Sequence, residues 1–249
     1  MELEKNKSLK YLLFGAIGVF LFIFGQLFYY FAMWAATNIK QNIGFASFLG
    51  SLMNNPAAVS IFQYVAYIPF LIVMLFLLKN DFKEDFKEVK KNWKNILLYV
   101  GCGFILMYML TIVVSMVYQS LGIFEESANE QLINEILLSK YALPMIVSVV
   151  LLAPIVEEIV FRKLLFGFCE HTLKLKPVFA VLISALIFAF IHVSDLENIK
   201  FIFQYLPLSL VICSVYHFSK NNIYAAILIH MANNTVAVIV TYLAAMYGI

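Results

Sequence analysis

Seven apolar runs, each near the length a helix needs to cross a bilayer, divide this chain at about residues 11–36, 58–78, 96–119, 141–166, 177–193, 201–218 and 223–246. A helical span takes roughly 20 mostly apolar residues. Inside hydrocarbon every backbone N–H and C=O must be satisfied within the protein, which leaves helices and closed barrels as spanning structures. A barrel strand alternates apolar and polar residues with a period of two, whereas Leu21-Phe22-Ile23-Phe24 and Leu182-Ile183-Ser184-Ala185-Leu186-Ile187 are apolar almost all round. The expected fold is therefore all-α, a polytopic transmembrane bundle of about seven spans. Composition agrees, with 63% of residues hydrophobic and 13% charged and a mean hydropathy of +0.89, far from the balance of a soluble domain.

Orientation follows from the basic residues. With the N-terminus in the cytoplasm, 14 of the 17 Lys and Arg fall on the inner side, and only Lys40, Lys140 and Lys200 fall outside. That asymmetry favours an inner N-terminus and, with seven spans, an outer C-terminus. The acidic start Met-Glu-Leu-Glu-Lys and the long first apolar run differ from a cleaved signal peptide, so the first span is expected to be retained. The basic residues serve topology, and a nucleic-acid partner is not expected. Cys102, Cys169 and Cys213 show no C-x-x-C spacing, which argues against a disulfide framework or a cysteine zinc site. No internal repeat or flexible linker divides the chain. It reads as one integrated membrane domain, with N-terminal spans and interfacial helices over 1–140 and a helix bundle carrying the polar residues over 141–249.

Two connecting segments have patterns of their own. In the Lys-rich stretch 80–95, Phe82, Phe86, Val89 and Trp93 fall on one face and predict an interfacial helix on the anionic inner leaflet. On the outer side, Ser127 and Glu130 have capping-box spacing and predict a short helix that buries Leu132, Ile133, Ile136 and Leu137, as a packed connector or a cover over the bundle.

The chemistry must come from polar residues inside the spans. Glu157 and Glu158 stand side by side in the fourth run. A carboxylate at a bilayer centre costs about 2.5–3.5 kcal/mol on insertion scales, so such a pair needs partners and usually has a task. Helix positions i and i+4 share a face, which pairs Glu158 with Arg162 as structural support, the Arg being expected to snorkel to the inner interface. Glu157 is left free for chemistry. Pro154 has no N–H and is expected to free the carbonyl of Val150 and open the helix there. With a turn near Lys174, Glu157 lies 17 residues before it and His192 lies 18 after it. Two antiparallel helices then bring them to one level. Phe188 shares a face with His192, and His230, Asn233 and Asn234 form a polar patch in the last run, where helix–helix hydrogen bonding is the plainer explanation. A full-length span over 177–193 would carry His192 past Glu157, so the 166–176 hairpin is expected to protrude into the cytoplasm. Ser194-Asp195-Leu196-Glu197-Asn198 would then border a water-filled cavity, with the site open toward the cytoplasmic side.

Taken in order, Glu-Glu-x-x-x-Arg at 157–162, Phe-x-x-x-His at 188–192 and His-x-x-x-Asn at 230–234 resemble the CPBP family of intramembrane proteases, the CAAX-protease and bacteriocin-processing (Abi) proteins. The resemblance covers roughly residues 141–240, and the family pattern is met at all seven positions. It implies an intramembrane peptidase in which Glu157 and His192 activate water while His230 and Asn234 stabilise the oxyanion, supported by Glu158, Arg162 and Phe188. No cofactor is required in that mechanism. A zinc ion held by Glu157, His192 and His230 is the alternative, since two histidines and a carboxylate can furnish an open site, although the H-E-x-x-H spacing of zincins is absent. The resemblance further implies a hydrophobic peptide or lipid-anchored protein as substrate, reached through membrane lipid. The compact chain looks like bacterial members tied to peptide-pheromone maturation, bacteriocin immunity or membrane-protein turnover, in the cytoplasmic membrane. Two other classes use the same residues: an ion- or proton-coupled transporter with a carboxylate–histidine relay, and a non-catalytic scaffold or immunity factor. The missing repeat counts against the first, and the complete motif set counts against the second.

Overall fold

The computed structural model describes residues 2–41, 44, 47, 48, 55–193 and 198–248. Its helices are α1 (Glu2–Gln41), α2 (Pro56–Leu77), α3 (Lys79–Ser120), α4 (Ala128–Leu137), a composite α5 (Ala142–Thr172), α6 (Pro177–Ile191), α7 (Ile202–Phe218) and α8 (Ile223–Tyr247). Among the described residues there is no strand. Helix starts follow local chemistry. The Asn55 side chain accepts from the N–H groups of Ala57 and Ala58 ahead of Pro56, Pro177 opens α6, and Asn222 accepts from Tyr224 N–H, each satisfying or avoiding an orphan donor of the first turn.

Six of these helices are long and apolar enough to cross a membrane, while α6 has 15 residues. At 1.5 Å per residue it covers about 22 Å, short of the roughly 30 Å of hydrocarbon. A helix of that length eases the depth conflict that a full-length span over 177–193 raises, since it does not carry His192 across the whole bilayer. Lys174 adopts a left-handed conformation (φ 56°) at the predicted turn. The stretch 194–197, expected to border a cavity, lies outside the described residues.

The Lys-rich stretch 80–95 is helical, as its pattern predicts, and forms the first part of α3, set off from the third span by a kink at Asn92 (φ −126°, ψ 28°). Its carboxylates dock it to the bundle: Asp81 pairs with Lys10 at 2.6 Å, Asp85 with Lys163 at 2.7 Å, and Glu88 with Lys220. The predicted apolar face is thus divided, with Phe82 and Val89 packed against the core and Phe86 and Trp93 exposed. Three basic residues assigned to the inner side consequently gather at one end of the molecule.

The interior has two main parts. Ile96 and Met107 of α3 meet Val211, Ile212 and Tyr216 of α7 and Ile229 of α8. Phe70 and Met74 of α2 meet Val156, Ile159 and Phe161 of α5 and Phe188 of α6. Helix α6 buries the small residues Ala180, Ser184, Ala185 and Ala189, and Ser184 Oγ donates to Phe161 O of α5 at 2.8 Å. Small residues let membrane helices come close enough for such contacts. The outer surface exposes Phe20, Ile72, Phe76, Ile105, Met109 and Val240; an apolar exterior this extensive is what a lipid-facing surface requires. Helix α4 closes one end. Ile136 and Leu137 are buried with Leu132 and Ile133 packed beside them, Asn134 Oδ1 accepts from Thr241 Oγ1 at 2.8 Å, and Leu137 O accepts from Tyr242 Oη at 2.7 Å.

Candidate active site

The fourth span supplies the two glutamates from an irregular helix. Within α5, residues Ser148–Leu152, Ile159–Phe166 and Phe168–Thr172 are π-helical, and a short α-helical piece, Ala153–Glu158, carries the glutamates between them. Such π segments are rare and concentrate at functional sites. They also extend the expectation for Pro154. The Ala153 N–H bonds Ser148 O, five residues back, so in this register Val149 O would look to residue 154, a proline with no N–H. Val149 O is thus a vacant acceptor, and the Asn234 side chain fills it, Nδ2 donating to Val149 O at 2.9 Å.

Adjacent residues of a helix point in different directions, and the two carboxylates take different partners. Glu158 is fully buried, with Oε2 3.1 Å from Arg162 Nε and Oε1 2.7 Å from His230 Nδ1. The Glu158–Arg162 pair is as the spacing predicts, and its further bond to His230 is not visible from spacing alone. Arg162 does not snorkel: its exposure is 0%. Its Nη2 donates to Ser209 O at 3.2 Å and Ser209 Oγ at 2.9 Å, and its guanidinium lies 4.7 Å from the centre of the Phe188 ring. A buried charge persists only when paired and hydrogen-bonded. Carboxylate, serine and aromatic face together remove the need to reach water. This one side chain joins α5 to α6 and α7, while Glu158 joins α5 to α8.

Glu157 is nearly buried, at 9% exposure, and faces both histidines: Oε2 stands 3.9 Å from His192 Nε2 and 3.7 Å from His230 Nε2. The antiparallel pairing of α5 and α6 thus brings Glu157 and His192 to one level, as the turn count predicts. Both distances exceed a direct hydrogen bond and fit one bridging water. His192 Nδ1 meets Phe188 O at 2.8 Å, which turns Nε2 toward Glu157, and the Phe188 ring stacks on the imidazole at 4.3 Å. The same ring meets His230 edge-on at 5.9 Å. Asn233 Nδ2 donates to Asn234 Oδ1 at 3.1 Å, leaving one Asn234 amide hydrogen without an assigned acceptor. Six of the motif residues, Glu157, Glu158, Arg162, Phe188, His192 and His230, are thus joined by contacts, and Asn234 stands one helical turn beyond His230 against Val149 O. The three residues of the zinc alternative, Glu157, His192 and His230, do face one another here, although among the described residues no group of three or more His, Cys, Asp or Glu stands out as a ready metal site.

Motif spacing gives no hint of Tyr205, whose ring lies tilted 5.0 Å from that of His192. A cavity of about 430 Å³ borders this cluster through Tyr205 and Asn233, and is otherwise lined by Ser115, Gln119, Glu126 and Glu130 among others. It lies at the end of the bundle that carries Phe124, Glu125 and the start of α4.

Residues 139–236 match the sequence profile of the family described as Type II CAAX prenyl endopeptidase Rce1-like. The protein named "Putative membrane peptidase YdiL" of Bacillus subtilis is 30% identical over 185 residues, covering 73% of this chain and 72% of the relative. Membrane-embedded CAAX protease MroQ of Staphylococcus aureus is 31% identical over 174 residues, 68% of this chain and 67% of the relative. UPF0177 protein YaiF of Lactococcus lactis is 28% identical over 180 residues, 67% and 77% of the two chains. No solved structure matches. With its apolar helices, these relatives make the chain an integral bacterial membrane protein and an intramembrane protease acting on a membrane-associated peptide or protein. The chain belongs to the Rce1-like family of Type II CAAX prenyl endopeptidases.

Proposed function

We propose that this chain is an endopeptidase that hydrolyses a hydrophobic or lipid-anchored polypeptide with a water activated by Glu157 and His192. The observation that carries the reading is the position of Glu157 Oε2, 3.9 Å from His192 Nε2 and 3.7 Å from His230 Nε2. Those gaps hold a water that Glu157 deprotonates while His192 orients it. The water oxygen bonds the scissile carbonyl carbon, the proton passes to Glu157, and the carbonyl oxygen becomes an oxyanion. Collapse breaks the C–N bond as Glu157 returns the proton to the leaving amine, which leaves a carboxylic acid and an amine that ionise to carboxylate and ammonium in water. With Nδ1–H donated to Glu158, Nε2 of His230 is the nitrogen left to face the oxyanion and donates to it when the ring carries both hydrogens, alongside the remaining Asn234 amide hydrogen. Donors fixed before the reaction stabilise developing charge most effectively. Glu158 and Arg162 hold this half of the site in place. No step runs through a metal.

The test is cleavage of a panel of hydrophobic and prenylated peptides by the purified protein in nanodiscs. We expect cleavage by the wild type that survives a chelator and disappears in Glu157→Ala. Loss on chelation with rescue by zinc would overturn the metal-free route. Ion flux that depends on Glu157, with no cleavage of any peptide, would overturn the peptidase assignment.

A further inference from the structure

We infer that Tyr205 of α7, anchored by Ser127 and Glu130 at the start of α4, is a positioning residue that holds the imidazole of His192 in register with Glu157. The inference rests on the proposed role of His192. His192 is the first residue beyond the last turn of α6, so helix geometry alone does not fix its ring. Phe188 stacks on it at 4.3 Å and Tyr205 lies tilted against it at 5.0 Å, with interplanar angles of 27° and 32°. The imidazole thus has one aromatic neighbour from its own helix and one from α7. The ring is held by stacking and by the Nδ1 contact with Phe188 O at 2.8 Å.

A phenylalanine would stack equally well, so the hydroxyl at 205 needs its own account. Tyr205 is 6% exposed, and its oxygen lies 2.6 Å from Ser127 Oγ, 3.4 Å from Asn129 Nδ2 and 3.2 Å from Glu130 Oε1. A phenol donates once and accepts twice. Donation to Glu130 with acceptance from Ser127 and Asn129 uses that capacity in full, and fixes the ring in rotation as well as in position. Ser127 Oγ also accepts from Glu130 N–H at 3.3 Å. Only half of the expected capping box therefore forms, because the Glu130 carboxylate has turned from the helix start to Tyr205. Burial raises the Glu130 carboxyl pKa, and the Tyr205 hydrogen bond and the nearby His192 oppose that rise; the carboxylate is close enough to sense the imidazole. The anchor lies in 127–130, ahead of the family-matched residues 139–236. This gives α4 a task beyond connecting two spans.

Misplacing a catalytic group by about 1 Å costs on the order of 100-fold in rate. In nanodiscs, Tyr205→Leu is expected to lower kcat by about 30- to 100-fold with KM changed less than about threefold. Tyr205→Phe and Glu130→Ala keep the ring but release it, and are expected to lower kcat by about three- to tenfold, with Glu130→Gln recovering most of the loss. Thermal midpoints are measured on the same samples, and Tyr205→Phe decides the matter where Tyr205→Leu does not fold. The inference is overturned where kcat falls only in step with the thermal midpoint, or where the Tyr205 and Glu130 variants turn over like the wild type while Glu157→Ala is inactive. A wild type no more active than Glu157→Ala would instead contradict the proposed chemistry.

Discussion

Glu157 and Glu158 differ only in direction, yet that difference separates two tasks. Glu158 ends on Arg162 at 3.1 Å and His230 at 2.7 Å, whereas Glu157 has its histidines no closer than 3.7 Å. Removing one partner of a buried ion pair strands the other charge and typically costs about 3–5 kcal/mol. Glu158→Ala is therefore expected to lower the thermal midpoint in detergent sharply, because Arg162 has no route to water. Glu157→Ala is expected to leave the midpoint within a few degrees of the wild type while removing activity. Equal destabilisation by the two substitutions would contradict the division of roles. Spacing made the Glu158–Arg162 pair legible, along with the meeting of Glu157 and His192. It could not disclose that Arg162 is sealed from solvent, since that depends on Ser209 and Phe188 arriving from two other helices.

At the scale of elements, the fourth span carries the least readable feature of the chain. A π turn leaves no mark in hydrophobic periodicity, so Pro154 predicts a vacancy at Val150 by α-helical counting, and the five-residue register adds Val149 as an acceptor that Pro154 cannot serve. The cap supplied by Asn234 yields a coupled prediction. A buried carbonyl left unpaired costs about 1–3 kcal/mol, which Asn234→Ala should show in thermal unfolding. Pro154→Ala returns an N–H within reach of Val149 O, so in that background the cost of Asn234→Ala should shrink. Strictly additive effects would show that the two residues do not share this acceptor. Legibility was better for α6, whose ends are marked by Pro177 and His192. Its consequence for depth came from length alone, once the helix proved to have 15 residues.

For the whole molecule, the bundle was legible because apolar runs and lysine asymmetry are properties of long stretches, which local irregularity does not disturb. The docking of 80–95 was not, because a heptad-like apolar face on a basic helix looks the same whether it meets lipid or protein. Asp81, Asp85 and Glu88 decide it through Lys10, Lys163 and Lys220. The lysine asymmetry places this paired end inside and the 121–127 loop outside. Cysteine introduced at exposed Lys90 should resist a membrane-impermeant thiol reagent in intact cells, whereas cysteine at exposed Glu125 should react; the reverse pattern would invert the topology. The most direct measurement is the single-turnover cleavage rate of Glu157→Gln beside the wild type in nanodiscs, using a peptide that the wild type cuts. A glutamine keeps the shape and cannot take the proton from water, so the account predicts loss of cleavage by a factor of about 100 to 10,000, the range typical of general-base contributions. Cleavage by Glu157→Gln at the wild-type rate would contradict it.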